Sequence, residues 1–406
     1  MNTKRYYPAA LALYITFIIH GIGVSILAQY KDELAELWGA ATLPNGALDV
    51  SIVFTVIAAL GLGRLITLPI SGPVSDKFGR RVSSLIGVGL YVLFFVGIIF
   101  APNFYVAFVF ALLGGAANSF LDTGVIPSLM EIFGKKGSIA NMFTKFSISI
   151  GQFALPFMIG FVAASQMSFQ TVFYFVAILL AIDGVLLAFV PLPPNSSTQK
   201  TDKNQKKEKM KFTATSVVII LIAFTCTSTF QLWLNANQEL GTLYGMENPS
   251  TIQSYYAIGS IVAVLLTAVF INKKWLKPVQ VLILYPAISA VMLLIIYFIE
   301  TPAILLIGGF ILGFAAAGGV LQLVTSTANE LFPKHKGKIT SIVMISSSLA
   351  NYIILSAAGV ITRVGGVDGP KYVLLFNFAI TAIGVLLAIY VNKRYKKENE
   401  GMVEAA

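Results

Sequence analysis

The feature that most constrains this chain is a series of apolar segments, each long enough to cross a bilayer as a helix. Unbroken apolar runs such as 217–224 and 304–314 sit inside longer segments that reach the roughly 20 residues a spanning helix needs. Lipid offers no partner to backbone N–H and C=O groups, so only helices and closed barrels can cross it. Barrel strands alternate apolar and polar residues, and these segments do not. Charged residues make up only 11% of the chain, against roughly 25% in a soluble domain. With a mean hydropathy of +0.82, the solvent of this chain is lipid and its fold class is all-α membrane protein.

The segments read as helices are 8–30, 49–71, 83–101, 104–133, 139–164, 171–190, 213–236, 254–271, 278–299, 302–332, 339–364 and 372–390. Twelve spans leave both termini on one side. Of the 28 lysines and arginines, Lys31, Arg363 and Lys371 fall on the opposite side, and Arg64 and Lys145 fall inside spans. All the others flank spans on the termini's side, among them Lys4, Arg5, Lys77, Arg80, Arg81, Lys135, Lys136, Lys273, Lys274, Lys277, Lys334, Lys393 and Arg394. The positive-inside rule then predicts cytoplasmic termini in a plasma-membrane protein. The net charge of +10 is thereby a topology signal, not a nucleic-acid footprint. The first apolar segment is too long for a signal-peptide core and contains His20, so it reads as a span.

The lysine-rich stretch 193–212 reads as a linker between halves 1–192 and 213–406, and the halves repeat. Glu33-Leu34 with Leu37-Trp38-Gly39 matches Glu239-Leu240 with Leu243-Tyr244-Gly245. Leu113-Gly114 with Glu131-Ile132-Phe133 matches Leu312-Gly313 with Glu330-Leu331-Phe332. Parallel repeats of this kind place a solute site between them near mid-membrane. Cys226 is the one cysteine, so no internal disulfide forms, and it lies far from His20 and His335. There is no metal-ligand spacing, nucleotide loop or nucleophile–base motif. No cofactor and no enzyme chemistry are expected, and energy for accumulation must come from an ion gradient.

The second and third spans are joined by Gly72-Pro73-Val74-Ser75-Asp76-Lys77-Phe78-Gly79-Arg80-Arg81. This resembles the signature loop of the major facilitator superfamily. The resemblance covers essentially the whole chain and implies two pseudo-symmetric six-helix bundles that move a small-molecule substrate across the lipid bilayer by alternating access. The chain is expected to act as a monomer. Gly72 and Gly79 permit a tight turn and close helix approach. Asp76 accepts hydrogen bonds from a neighbouring helix end, and Arg80 or Arg81 pairs with Glu131, a latch that breaks in the other conformation. Glu330 is the matching acid of the second half, where Asn272-Lys273-Lys274 replaces the loop, so the gate is expected to be asymmetric. Asp122-Thr123 is similar to an acidic residue before threonine in the fucose–proton symporter branch. That branch carries a polar or acidic residue where Lys145 stands here, and a cation there counts against a neutral sugar. Gly151, Leu155-Pro156 and Gly160 resemble only part of a drug-antiporter signature.

Ionisable residues within spans are expensive and are functional candidates. Asp122 is the candidate proton carrier, weighed against a structural pair with Arg64 or Lys145. Arg64 has the fork for bidentate carboxylate binding, weighed against permanent pairing with Asp122. Lys145 is a second cation, or a side chain snorkelling to the surface. His20 is a relay or a packing residue. The second half offers Gln231, Trp233, Asn235, Asn237, Gln322, Thr325, Ser326, Thr327, Asn329, Asn351 and Tyr352, with Trp233 as a stacking face; the alternative use is helix–helix adhesion. Asp183, in the sixth span, has no assigned role beyond a local pair or a thinned-bilayer contact. The reading is a proton-coupled carrier of a small organic anion such as a hydroxylated carboxylate. A sugar–proton symporter, a drug–proton antiporter and a non-transporting receptor are the alternatives. A C-terminal alkaline phosphatase fusion is expected to be inactive and a C-terminal fluorescent-protein fusion bright in a bacterial host; the reverse pattern would invert the topology.

Overall fold

The computed structural model describes residues 3–43, 46–134, 137–193, 210, 212–332 and 336–404. Nearly all of the expected linker, with Lys135, Lys136 and Lys334, lies outside them. The chain forms two compact units, Met1–Lys207 and Glu208–Ala406.

The first unit contains α1 (Tyr7–Gln29), α2 (Ser51–Phe78), α3 (Arg80–Phe100), α4 (Phe104–Phe133), α5 (Gly137–Ala164) and α6 (Gln170–Phe189). The second contains α7 (Ala214–Leu243), α8 (Thr251–Asn272), α9 (Pro278–Phe298), α10 (Pro302–Leu331), α11 (Lys336–Gly365) and α12 (Gly369–Glu404). Eleven helical stretches among the described residues are long and apolar enough to cross a membrane. The last of them, Lys338–Arg394, joins α11 and α12 through the 3-10 turn Gly366–Asp368. Twelve passes result, as expected. Polar residues set several starts: Asn103 Oδ1 accepts from the Val106 N–H at 3.1 Å, and Thr213 and Ser216 form a capping box on α7.

Three boundaries differ from the sequence expectation. α2 runs to Phe78, through Pro69 and Pro73, and breaks at Gly79, whose φ of 102° and ψ of 155° suit only glycine. A short helix, Lys31–Leu37, follows α1. α10 is interrupted by a π turn at Gly313–Ala317 and by Gly319 at φ 97° before resuming at Val320.

In lipid, helices gain nothing by hiding apolar side chains from one another, so close packing decides which pairs associate. Three pairs meet backbone to backbone by one recipe. A Cβ added at Gly63 of α2 would fall on the carbonyl oxygen of Leu112, and one at Gly115 of α4 on that of Leu60. Gly21 of α1 and Gly151 of α5 abut the Ile148 and Ile18 carbonyls in the same way. In the second unit Gly259 of α8 and Gly313 of α10 abut those of Phe310 and Tyr256. Each glycine lies three residues after the carbonyl that its partner meets, so the internal repeat extends to the packing. For α7 and α11 hydroxyls replace glycines: Thr227 donates to Ser347 at 2.9 Å, and Ser346 donates to the Ile220 carbonyl at 2.9 Å.

Gly151→Ala is therefore expected to cost about 1–3 kcal/mol by overpacking. Gly160→Ala, where a Cβ would meet nothing within 4 Å, should leave the melting temperature in detergent level or slightly raised. Equal effects of the two would refute the backbone contact.

Candidate functional site

Helix α4 is the spine of the first unit, and successive turns of it hold the candidate residues. At Gly115 the absent Cβ leaves room for the backbone nitrogen of Arg64. One turn on, the Ser119 hydroxyl donates to the Arg64 carbonyl at 3.0 Å. One turn further, Asp122 Oδ2 accepts from Arg64 Nη2 at 2.7 Å. The backbone of α2 is thus pinned before its side chain is aimed. The two side chains are 23% and 25% exposed, so the pair is neither sealed in the core nor open to bulk solvent. Among the sequence expectations for Arg64 and Asp122, pairing with each other is the one realised in this conformation.

The next turns carry the loop between α2 and α3. Ser75 donates to the Thr123 carbonyl at 2.7 Å, and Ser83 donates to the Phe120 carbonyl at 2.9 Å. Gly124 lets α4 approach Ser84 and the Arg80 carbonyl. Arg80 gathers three partners: Ser75 Oγ at 2.9 Å, Asp76 Oδ1 at 2.7 Å and Glu131 Oε1 at 3.7 Å. Arg81 points elsewhere and donates to the carbonyls of Ala188 (2.8 Å) and Val190 (2.6 Å). Those carbonyls are orphaned at the end of α6, where a cation also suits the helix dipole. Asp76 of α2 accepts from Arg80, the first residue of α3, which is the neighbouring helix end. One expectation needs correction. Gly72 makes neither turn nor close approach: it lies inside α2, and a Cβ there would meet nothing within 4 Å. Only Gly79 turns the chain.

His20 is buried beside Tyr91, with Nδ1 3.2 Å from the phenol oxygen, and its ring lies against Phe17. Lys145 is half-buried on α5. Asp183 is 2% exposed and hydrogen-bonded to Thr16 of α1, with 2.5 Å between oxygens; its burial excludes the lipid contact considered above.

In the second unit the polar candidates divide. Gln322, Ser326 and Glu330 form one exposed stripe on α10. Asn351 is half-buried on α11. Asn235 is buried and donates to the Gln231 side chain at 3.0 Å. Asn329 accepts from Thr340 at 3.1 Å. Trp233 offers no stacking face in this conformation, because it is 2% exposed and belongs to a core with Leu240, Tyr244, Met292, Ile296 and Leu374. A helical-wheel check gives a partial signal: Leu240 and Tyr244 follow Trp233 at helical spacing, with Asn237 on the same face. The groups that sequence reasoning missed are Ser75, Ser119 and Ser83, whose hydroxyls serve backbone carbonyls, and the role of Arg81.

Arg81→Ala is expected to cost about 1.5–3 kcal/mol, the range for hydrogen bonds from a charged donor, and to raise amide exchange near the end of α6 while leaving the α2–α4 contact protected. Unchanged exchange there would refute the capping role.

Comparison with known proteins agrees with this geometry. A family model described as Major Facilitator Superfamily matches residues 9–351 and 249–405. The uncharacterized MFS-type transporter YfkL of Bacillus subtilis is 36% identical over 398 residues, covering 96% of each chain. The inner membrane transport protein YdiM of Escherichia coli is 33% identical, covering 97% of this chain and 96% of its own. Among solved structures, a D-xylose–proton symporter superposes with a TM-score of 0.75 at 15% identity, over 95% of this chain and 97% of that one, a likeness of fold. The twelve-helix architecture, the signature loop with its Arg80 cluster and these matches together place the chain in the Major Facilitator Superfamily, as a multi-pass membrane transporter and not an enzyme.

Proposed function

We propose that the chain is a proton-coupled carrier of small organic anions, of which hydroxylated carboxylates are the best-fitting class. The observation that carries this reading is the Arg64–Asp122 pair. Arg64 stays charged at any working pH, while Asp122 can lose its charge by taking a proton. Protonation of Asp122 would release the guanidinium fork, and an incoming carboxylate would take it in bidentate geometry. Anion and proton would then bind together and leave together, which is the logic of symport. Lys145 would add a second cation to the same unit. Gln231, Asn235, Gln322 and Asn351 are the proposed hydroxyl-binding groups of the second unit, and His20 is a proposed donor beside Tyr91. Trp233 would serve the site from the core of the second unit.

The Asp76–Arg80–Glu131 cluster is the proposed gate, with Gly79 as its turn and Arg81 as its anchor to α6. Gly72 would serve by leaving the face of α2 without a side chain, and Glu330 would be the corresponding acid of the second half. Cytoplasmic termini at the plasma membrane, a linker at 193–212 and a working monomer complete the proposal.

The test is a thermal-shift screen of purified protein against organic acids, sugars and cationic drugs at two pH values. Mass action stabilises by about 2.7 kcal/mol at a hundredfold excess over Kd. Carboxylates are expected to stabilise the wild type, more strongly at the lower pH, and to have no effect on Arg64→Ala. Asp122→Asn, which mimics the protonated acid, should bind carboxylates with the pH dependence removed. Stabilisation by sugars alone, or by drugs alone, would overturn the anion reading in favour of a sugar symporter or a drug antiporter.

A further inference from the structure

Asp183 is a buried acid that the Arg64–Asp122 chemistry does not use. It stands on α6, a helix packed against α1, α3 and α5. Its Oδ2 lies 2.5 Å from Thr16 Oγ1. Thr16 is fully buried, and the same Oγ1 lies 3.1 Å from the Ala12 carbonyl of its own helix. A hydroxyl has one hydrogen to give. If Asp183 were ionised, both neighbours of Oγ1 would be acceptors, and one of the two contacts would hold no proton. Asp183 Oδ1 is also buried, with no hydrogen-bond partner among the described residues. An ionised carboxylate in that setting would be a buried charge with a single neutral donor, which is among the most costly arrangements in a protein interior.

The surroundings supply no counter-charge. The titratable or charged side chains on the packed elements are Tyr7, Tyr14 and His20 of α1, Arg80, Arg81 and Tyr91 of α3, and Lys145 of α5. Tyr7 stacks on Phe133, Tyr14 donates to the Ala140 carbonyl, and His20 and Tyr91 contact each other. Arg80 is engaged by Ser75, Asp76 and Glu131, and Arg81 by the end of α6. Among the described residues neither Lys145 nor any other cation forms an ion pair with Asp183. A proton on Oδ2 resolves the count: the acid donates to Thr16 Oγ1, and Thr16 donates to the Ala12 carbonyl.

We propose that Asp183 is a proton-binding site of the first unit, separate from Asp122, whose neutral carboxyl joins α6 to α1 through Thr16 and whose loss of a proton opens that joint. The bond is present while the carboxyl holds its proton and is lost when the proton leaves. Ionisation would leave a carboxylate with one donor, so α6 must then move from α1 or admit water.

The experiment is infrared spectroscopy of the full chain in detergent, comparing wild type with Asp183→Asn and with Thr16→Val. The wild type is expected to show at neutral pH a protonated-carboxyl C=O band that Asp183→Asn lacks. Thr16→Val should shift this band to higher frequency, because its hydrogen bond is gone, and alkali should convert it to carboxylate bands. A wild-type-minus-Asn difference holding carboxylate bands alone at neutral pH would overturn the proposal. If Asp183→Asn does not fold, the wild type and Thr16→Val still decide: a protonated-carboxyl band that Thr16→Val leaves in place, or its absence, overturns it. In melting experiments Asp183→Asn, which keeps a neutral donor, should match the wild type at neutral pH and escape its fall in alkali. A parallel fall in both proteins would likewise refute the joint.

Discussion

The first unit depends on an approach between two backbones that only glycine permits. α2 and α4 touch at Gly63 and Gly115, and the missing side chain of Gly115 leaves room for the Arg64 nitrogen. From that fixed point the Ser119 bond to the Arg64 carbonyl and the Asp122 bond to the Arg64 fork follow one turn at a time along α4. An arginine in a membrane span is tolerated only when its partner is certain. Here certainty comes from helix contact, since a helix held at one residue has little freedom two turns away. The same rigidity continues through Ser75 and Thr123 to the Arg80 cluster. A change at the pair and a change at the loop therefore act on one helix.

The two units carry out similar packing with different chemistry. Glycine–carbonyl contacts join α8 to α10 as they join α2 to α4, while paired hydroxyls take the place of the α1–α5 contact between α7 and α11. A hydroxyl pair is directional and can exchange partners, whereas a backbone contact is a steric fact. The ionisable groups show a parallel difference: Arg64, Asp122, Lys145 and Asp183 all lie within spans of the first unit, whereas Glu239 and Glu330 of the second lie near the ends of α7 and α10, whose other polar groups are amides and hydroxyls.

Much of this was legible in the sequence for a plain reason. In lipid the apolar run, the basic flank and the rare buried charge are each enforced by large energies, so spans and the Arg64 and Asp122 candidates stand out. What was not legible turns on small or local terms. The end of α2 is decided by the backbone conformation of Gly79, and nothing in hydropathy separates it from Gly72, seven residues earlier and inside the helix. Arg81 reads as a topology anchor until the end of α6 is seen to lie beside it. Trp233 looks like a binding aromatic because tryptophan is rare, yet it lies in a core with Leu240 and Tyr244 of its own helix and Met292, Ile296 and Leu374 of others. Thr16 and Asp183 lie far apart in sequence, and no local pattern joins them.

The π turn of α10 shifts the register of one helix contact. From Gly115, at the helix contact, to Glu131 the chain of α4 advances sixteen positions; from Gly313 to Glu330 in α10 it advances seventeen. The surplus coincides with Gly313–Ala317, where the winding is wider by one residue per turn. The sequence repeat pairs Gly313 with Gly114, whereas the backbone contacts pair it with Gly115, so the wider winding moves the helix contact by one position while Glu131 and Glu330 keep their register.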